Sequence, residues 1–204
     1  MKYLKLFFFL AFITCGFNYA QAQDIELVKG DITVLKGQSS VLITFVYDGM
    51  DVAGLTEEYY LKQKKTEYRK PAEGDKFIAQ WKADFKDKHE PKFIDQFNIG
   101  MRRLKLNAVK DDTSKYTMIV TTNKIEPGFY ASSGRGFNRE TYVNLTVNIV
   151  ESAKPENILA TIKSERVIGM GNNTVEMKDQ QTRIANAYGE SAAKVAKLIV
   201  KLCK

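Results

Sequence analysis

The clearest pattern in the chain runs from Thr141 to Val150, where Val143, Leu145, Val147 and Ile149 alternate with Tyr142, Asn144, Thr146 and Asn148. Side chains two residues apart share one face of a strand, so this stretch predicts a strand with one buried and one open face. The chain's last segment offers a cover for the buried face. Ile184, Tyr188, Ala192, Val195, Ile199 and Leu202 recur at steps of three and four, the spacing of a single helical stripe. Asp179 is placed to cap that helix, and Arg183, Glu190, Lys194, Lys197 and Lys201 fall on its outer face. Ala185, Ala192, Ala193 and Ala196, with Gly189, allow it to approach the sheet closely.

The same reading carries through the rest of the chain. Ile25 to Leu35 reads as a short hairpin turning at Gly30-Asp31, and Val41 to Tyr47 as a nearly continuous apolar strand at the centre of the sheet. Leu55 to Arg69 predicts a surface helix capped by Thr56. A second helix from Asp75 aligns Phe77, Ile78, Trp81 and Phe85, and Pro91 ends or restarts it. A third helical piece aligns Phe93, Ile94, Phe97, Met101 and Leu104. Leu104 to Val109 reads as an edge strand, Asp111-Asp112 as a turn, and Tyr116 to Ile125 as a strand. A second turn at Lys154-Pro155-Glu156-Asn157 leads into a strand over Ile158 to Ile168. Consecutive strands joined by turns pair antiparallel. The expected fold is α+β, a mostly antiparallel sheet of about five strands with helices packed on one face.

The first residues stand apart from that fold. Lys2 and Lys5 precede an apolar run from Leu6 to Thr14, and Ala20-Gln21-Ala22 has the small-x-small form of a leader cleavage site. Residues 1–22 read as a secretory signal peptide and 23–204 as a single domain. The rival reading is a lipoprotein signal with Cys15 acylated, which would tether the product to a membrane. Cleavage after Ala22 leaves Cys203 as the only cysteine, so no intramolecular disulfide forms and stability rests on the core. It also lowers the basic count from 31 to 29 against 24 acidic residues, a net charge near +5. These charges are dispersed along the chain, where phosphate-backbone binding wants them concentrated, so nucleic acid is not an expected partner.

The candidate chemistry is sparse. His89 is the sole histidine and lies between Lys88 and Glu90, where the expectation is an exposed, idle side chain. No conventional zinc ligand set can be assembled around it. Asp48, Asp51, Glu57 and Glu58 could gather oxygens at the end of the Val41–Tyr47 strand, but their spacing is not that of a calcium loop, and capping and solubility account for them. Ser133-Gly134-Arg135-Gly136 lacks the lysine and following helix of a phosphate loop. Gly169-Met170-Gly171-Asn172-Asn173 lacks the strand, turn and helix order of a dinucleotide site. Tyr59, Tyr60 and Tyr68 with Trp81 would make an aromatic binding surface only if exposed in a row. No catalytic, cofactor or metal residues are therefore assigned.

Several motifs together carry a likeness. Leu35-Lys36-Gly37-Gln38, Tyr47-Asp48-Gly49-Met50, Trp81, Glu90-Pro91-Lys92-Phe93, Phe97-Asn98, Tyr116-Thr117, Glu126-Pro127-Gly128-Phe129 and Ala187-Tyr188-Gly189-Glu190-Ser191-Ala192-Ala193-Lys194 resemble a group of uncharacterised exported proteins of Bacteroidota over nearly the whole mature chain. The order of elements is also similar to the amino-terminal domain of TolB and to the periplasmic domain of the curli secretion channel. The resemblance implies a periplasmic or secreted address, or an outer-membrane lipoprotein if Cys15 is lipidated, and implies no activity or site residues. The expected function is non-catalytic binding of an envelope protein or a small ligand, through a sheet edge or the loops around Gly49 and Gly134. A carboxylate-based hydrolase and a surface glycan-binding module are the alternatives.

Overall fold

A computed structural model describes residues 24–110, 113–130 and 138–204. The expected signal peptide, Cys15, the Asp111-Asp112 turn and the Ser133-Gly134-Arg135-Gly136 loop lie outside the described residues. The strands are β1 (Asp24–Gly30), β2 (Ser40–Val46), β3 (Asp51–Val52), β4 (Leu55–Thr56), β5 (Asn107–Val109), β6 (Tyr116–Glu126), β7 (Thr141–Glu151) and β8 (Lys154–Gly169). The helices are α1 (Glu57–Thr66), α2 (Pro71–Asp84), α3 (Glu90–Met101), α4 (Thr174–Lys178) and α5 (Gln180–Leu202). A π-helical turn, Phe85–His89, joins α2 to α3.

The α+β class holds, but the sheet is larger and more mixed than the sequence suggests. Among the described residues it has eight strands, in the order β1-β8-β7-β6-β2-β5, and the small β3-β4 hairpin joins it through β3 and β6. The meander β6-β7-β8 and the β8-β1 pair are antiparallel, as expected for strands joined by turns. The pairs β2-β6, β2-β5 and β3-β6 are parallel. Parallel neighbours need a long crossover, and the helices between β2 and β5 supply it. Val41 to Tyr47 is thus not central. Its strand sits second from one edge, with Thr44 exposed and Leu42 and Val46 half-buried.

Three local expectations are also corrected. Ile25 to Leu35 is no hairpin: β1 pairs only with β8, the chain turns at Gly30 with φ 79°, and Ile32–Leu35 form a short 3-10 helix. Lys154 to Asn157 belong to β8, and the turn before them is at Ser152-Ala153. Pro91 does not break the helical path. It has no N–H to give the turn before it, and the Glu90 N–H reaches back five residues to the Phe85 carbonyl, widening the helix there.

The core follows the alternation of β7 and the helical stripe of α5. Val143, Leu145, Val147 and Ile149 are all buried under α5, whose Ile184, Tyr188, Ala192, Val195 and Ile199 are fully buried in turn. Leu202 is the exception, at 37% exposure, and Cys203 takes the buried place beside it. Helix α3 lies beside α5 and covers the β2 end of the sheet, where Phe93 meets Phe45 edge-on at 5.6 Å. The small residues of α5 serve that helix–helix contact. A Cβ on Gly100 would lie 2.6 Å from that of Ala196, and Gly189 faces the Lys92 and Gln96 stems of α3 rather than the sheet. Thr56 and Asp179 cap α1 and α5 as their positions predict.

Candidate functional site

The alternation that buries Val143 to Ile149 also turns Thr141 inward at the start of β7, where it is 2% exposed. Opposite it is Arg183 in the first turn of α5. The sequence pattern places Arg183 on the outer face of that helix, yet it is only 6% exposed. Its neighbours at four-residue steps, Ala187 and Ser191, are small and buried, so the helix seats that flank against the end of β8. Gly169 makes the approach possible: a Cβ there would fall 1.9 Å from the Arg183 carbonyl oxygen and 2.6 Å from the Ala187 nitrogen.

Among the described residues the guanidinium is held by neutral groups. Its Nε donates to Thr141 Oγ1 at 2.9 Å, Nη1 to the Met177 carbonyl, and Nη2 to the Pro127 carbonyl at 3.3 Å. Thr141 Oγ1 itself donates to the Pro127 carbonyl at 2.7 Å. Burial lowers the Arg183 pKa, opposed by the Asp179 carboxylate. Asp179 spends its oxygens elsewhere, accepting from the backbone N–H groups of Gln181 and Thr182 and from the Thr182 hydroxyl. Among the described residues no carboxylate hydrogen-bonds or ion-pairs directly with the buried Arg183, and Asp179 acts on it only through space.

Beside it opens a cleft of about 670 Å³ between α3, α5, the start of β7 and the end of β8. Its walls include Lys92 and Gln96 of α3, Asn186 and Gly189 of α5, Arg139 and Glu140 before β7, and Gly169, Met170 and Asn172 after β8. The charged rim is largely self-paired. Arg139 meets Glu126 at 2.9 Å, Glu140 meets Arg166 at 2.6 Å, and Glu190 meets Lys194 at 3.7 Å. Asn186 Nδ2 donates to the Met170 carbonyl at 2.6 Å, tying the loop after β8 to the helix.

The residues weighed from sequence are dispersed. The loop Gly169 to Asn173, rejected as a dinucleotide site, does line this cleft through Gly169, Met170 and Asn172. Asp51 accepts from Gly54 N–H at 2.8 Å and pairs with Lys124, Glu57 accepts from Trp81 Nε1 at 2.8 Å, and Asp48 and Glu58 are exposed, so these carboxylates form no shared site. Among the described residues no group of three His, Cys, Asp or Glu side chains is close enough to hold a metal. Trp81 and Tyr60 are buried while Tyr59 and Tyr68 are exposed, which leaves no aromatic row.

His89 corrects its expectation outright, being fully buried rather than exposed. The π turn swings its ring inward between Phe85 and Tyr188. Gln181 and Asp84 act on its charge, but no hydrogen bond of ordinary geometry reaches either ring nitrogen among the described residues. Burial pushes its pKa down to about 4, Asp84 raising it and Lys88 adding to the fall. Nearby, Glu90 accepts from Tyr47 at 3.0 Å and from Lys110 at 2.6 Å, a polar lock between β2, α3 and the segment after β5.

No family model matches the chain, and no curated protein sequence does either. Solved structures share parts of its form. A PelC dodecamer from Paraburkholderia phytofirmans matches with 9% identity and TM-score 0.35 over 85% of this chain and 99% of the other. A Xanthomonas campestris protein of the DUF330 family matches with 9% identity and TM-score 0.34, over 80% and 81%. A putative neuraminyllactose-binding hemagglutinin homolog from Helicobacter pylori matches with 11% identity and TM-score 0.29, over 86% and 88%. Likenesses this distant carry nothing about the cleft.

Proposed function

We propose that the protein is a non-catalytic binding protein of the cell envelope, exported by its leader, and that the cleft beside Arg183 holds a small-molecule ligand. The observation that carries this reading is the cleft itself. At about 670 Å³ it has the size of a small-molecule site, and polar groups from α3, α5 and the segments beside β7 and β8 converge on it. Its lining supports binding over turnover. Among the described residues it contains no serine, cysteine or histidine, and the Thr141 hydroxyl donates to a carbonyl rather than to a base. The Glu126, Glu140 and Glu190 carboxylates in and around it are engaged by cations, an arrangement unlike the opposed pair that a carboxylate hydrolase requires.

The test is a compound screen by protein-observed NMR on the mature chain, repeated on Asn186→Trp, which fills the cleft from the half-exposed wall of α5. Compounds that shift the amides of Gly169, Met170 and Asn186 in the wild type should lose their effect in the variant. Compounds that bind both proteins equally would place the ligand elsewhere, and turnover of any compound that binds would overturn the non-catalytic reading.

A further inference from the structure

We infer that the cleft selects a small monocarboxylate, its carboxylate received by Arg183 with Lys92 as the second cation. The inference rests on the cleft being the ligand site and adds the chemistry of the ligand. Arg183 is the central observation. A guanidinium carries five N–H donors, and the described residues take three, one on each nitrogen, so toward them Nη1 and Nη2 each keep one. Burying a full charge among neutral acceptors is costly, and proteins ordinarily offset that cost with a carboxylate. Asp179 acts on this charge only through space, its oxygens being bound to Gln181 and Thr182, and the cleft is where a carboxylate in direct contact can enter.

Charge along the walls narrows the class. Among the described residues the lining carries the cations Lys92, Arg139 and Arg183 and the carboxylates Glu140 and Glu190. Arg139, Glu140 and Glu190 already have ion-pair partners, whereas Lys92 and Arg183 pair with no carboxylate among the described residues. Lys92 runs along Gly189 on the facing wall, since a Cβ on that glycine would lie 3.0 Å from Lys92 Cγ. Lys92 is half-exposed to water, which leaves Arg183 as the one buried charge to offset; a singly charged group does so, and a planar carboxylate suits the guanidinium. A dianionic phosphate would instead bring a second charge that only the half-exposed Lys92 could meet. The other polar walls, Asn186, Gln96 and Asn172, are neutral and suit hydroxyl or amide groups on the rest of the molecule.

The experiment titrates the mature protein with acetate, benzoate, inorganic phosphate and the neutral isostere benzamide at constant ionic strength, following the Arg183 Nε–H signal and the cleft amides by NMR. Acetate and benzoate should shift both saturably, benzamide should leave Nε–H unmoved, and phosphate should bind about tenfold more weakly than benzoate. Arg183→Met should weaken benzoate at least about tenfold. Lys92→Gln, on the half-exposed wall of α3 and outside the core, should weaken it about threefold and keeps the test decisive if the Arg183 variant does not fold. Equal response to benzoate and benzamide, no saturable response to either carboxylate, or stronger binding of phosphate would overturn the inference. Neutral compounds that bind the cleft and are blocked by Asn186→Trp would, in that event, leave the binding reading standing. If no compound is blocked by Asn186→Trp, both fall.

Discussion

His89 lies flat against Tyr188, ring centroids 5.3 Å apart and planes 7° apart, and this stack ties the π turn between α2 and α3 to the middle of α5. The imidazole is fully buried, so protonating it puts a charge where water cannot reach it. In the unfolded chain His89 titrates near its ordinary 6.5, and in the folded protein at about 4. Between those values the unfolded chain binds a proton that the folded one does not. Stability is therefore full above about pH 6.5, falls as pH drops through the window, and loses nothing further from this group below about pH 4. The loss across the window should be roughly 3 kcal/mol. Denaturant unfolding of wild type and His89→Phe at intervals from pH 7.5 to 3.5 checks this: the variant should keep the stack and lack this component of acid sensitivity. Parallel pH curves for the two proteins would refute it.

The other face of the same tyrosine makes a different test. Tyr188 Oη and Thr122 Oγ1 are 2.6 Å apart and both side chains are buried, a hydrogen bond between α5 and β6 inside the core. Tyr188→Phe strands the threonine hydroxyl and should cost about 1–2 kcal/mol. Adding Thr122→Val removes the stranded group, and the double variant should be more stable than Tyr188→Phe alone. A double-mutant cycle with no coupling would show that the bond contributes nothing.

Gly169 sits where the end of β8 meets α5, and any Cβ there collides with backbone, 1.9 Å from the Arg183 carbonyl oxygen. Backbone cannot swing aside as a side chain can, so Gly169→Ala should cost about 3 kcal/mol and move α5 away from the cleft. Thermal unfolding reads the first effect, and loss of the ligand responses at Asn186 reads the second. A variant with wild-type stability would mean that the strand and helix are not in contact as described.

Cys203 is 2% exposed, and its thiol donates to the Ile32 carbonyl at 3.6 Å. Burial raises its pKa, which lowers the thiolate fraction as well as access. In a chain beginning at Gln23, which lacks Cys15, a maleimide should label it only as fast as the protein opens, and labelling should become immediate in denaturant. Rapid stoichiometric labelling of the native protein would show the C-terminal end of α5 undocked.

The candidate site was the least legible part of the sequence. Arg183 reads as one more polar residue on the outside of an amphipathic helix, because its apolar stripe starts one position later, at Ile184. The available signal was the run of small residues at four-residue steps, Ala187 and Ser191, which widens the buried arc to include Arg183. Nothing local to Thr141, Pro127 or Met177 announces that they converge on one guanidinium. His89 was misplaced for a related reason: its charged neighbours Lys88 and Glu90 suggest a surface turn, while the widened turn before Pro91 rotates the ring into the core.

What the sequence determined by itself was what depends on period. The two-residue alternation in β7, the stripe of α5, the caps at Thr56 and Asp179, the aromatic faces of α2 and α3 and the antiparallel meander β6-β7-β8 are all set by neighbours within a few residues of one another. The tertiary structure alone decided which strands lie side by side when the chain between them is long. It placed β2 parallel to β6 and β5, paired β1 with β8, and pressed Gly169 against Arg183. Those choices rest on how helices α1 to α3 cross over the sheet and how closely two backbones can approach. No short stretch of side chains encodes such distances, and the cleft exists only because of them.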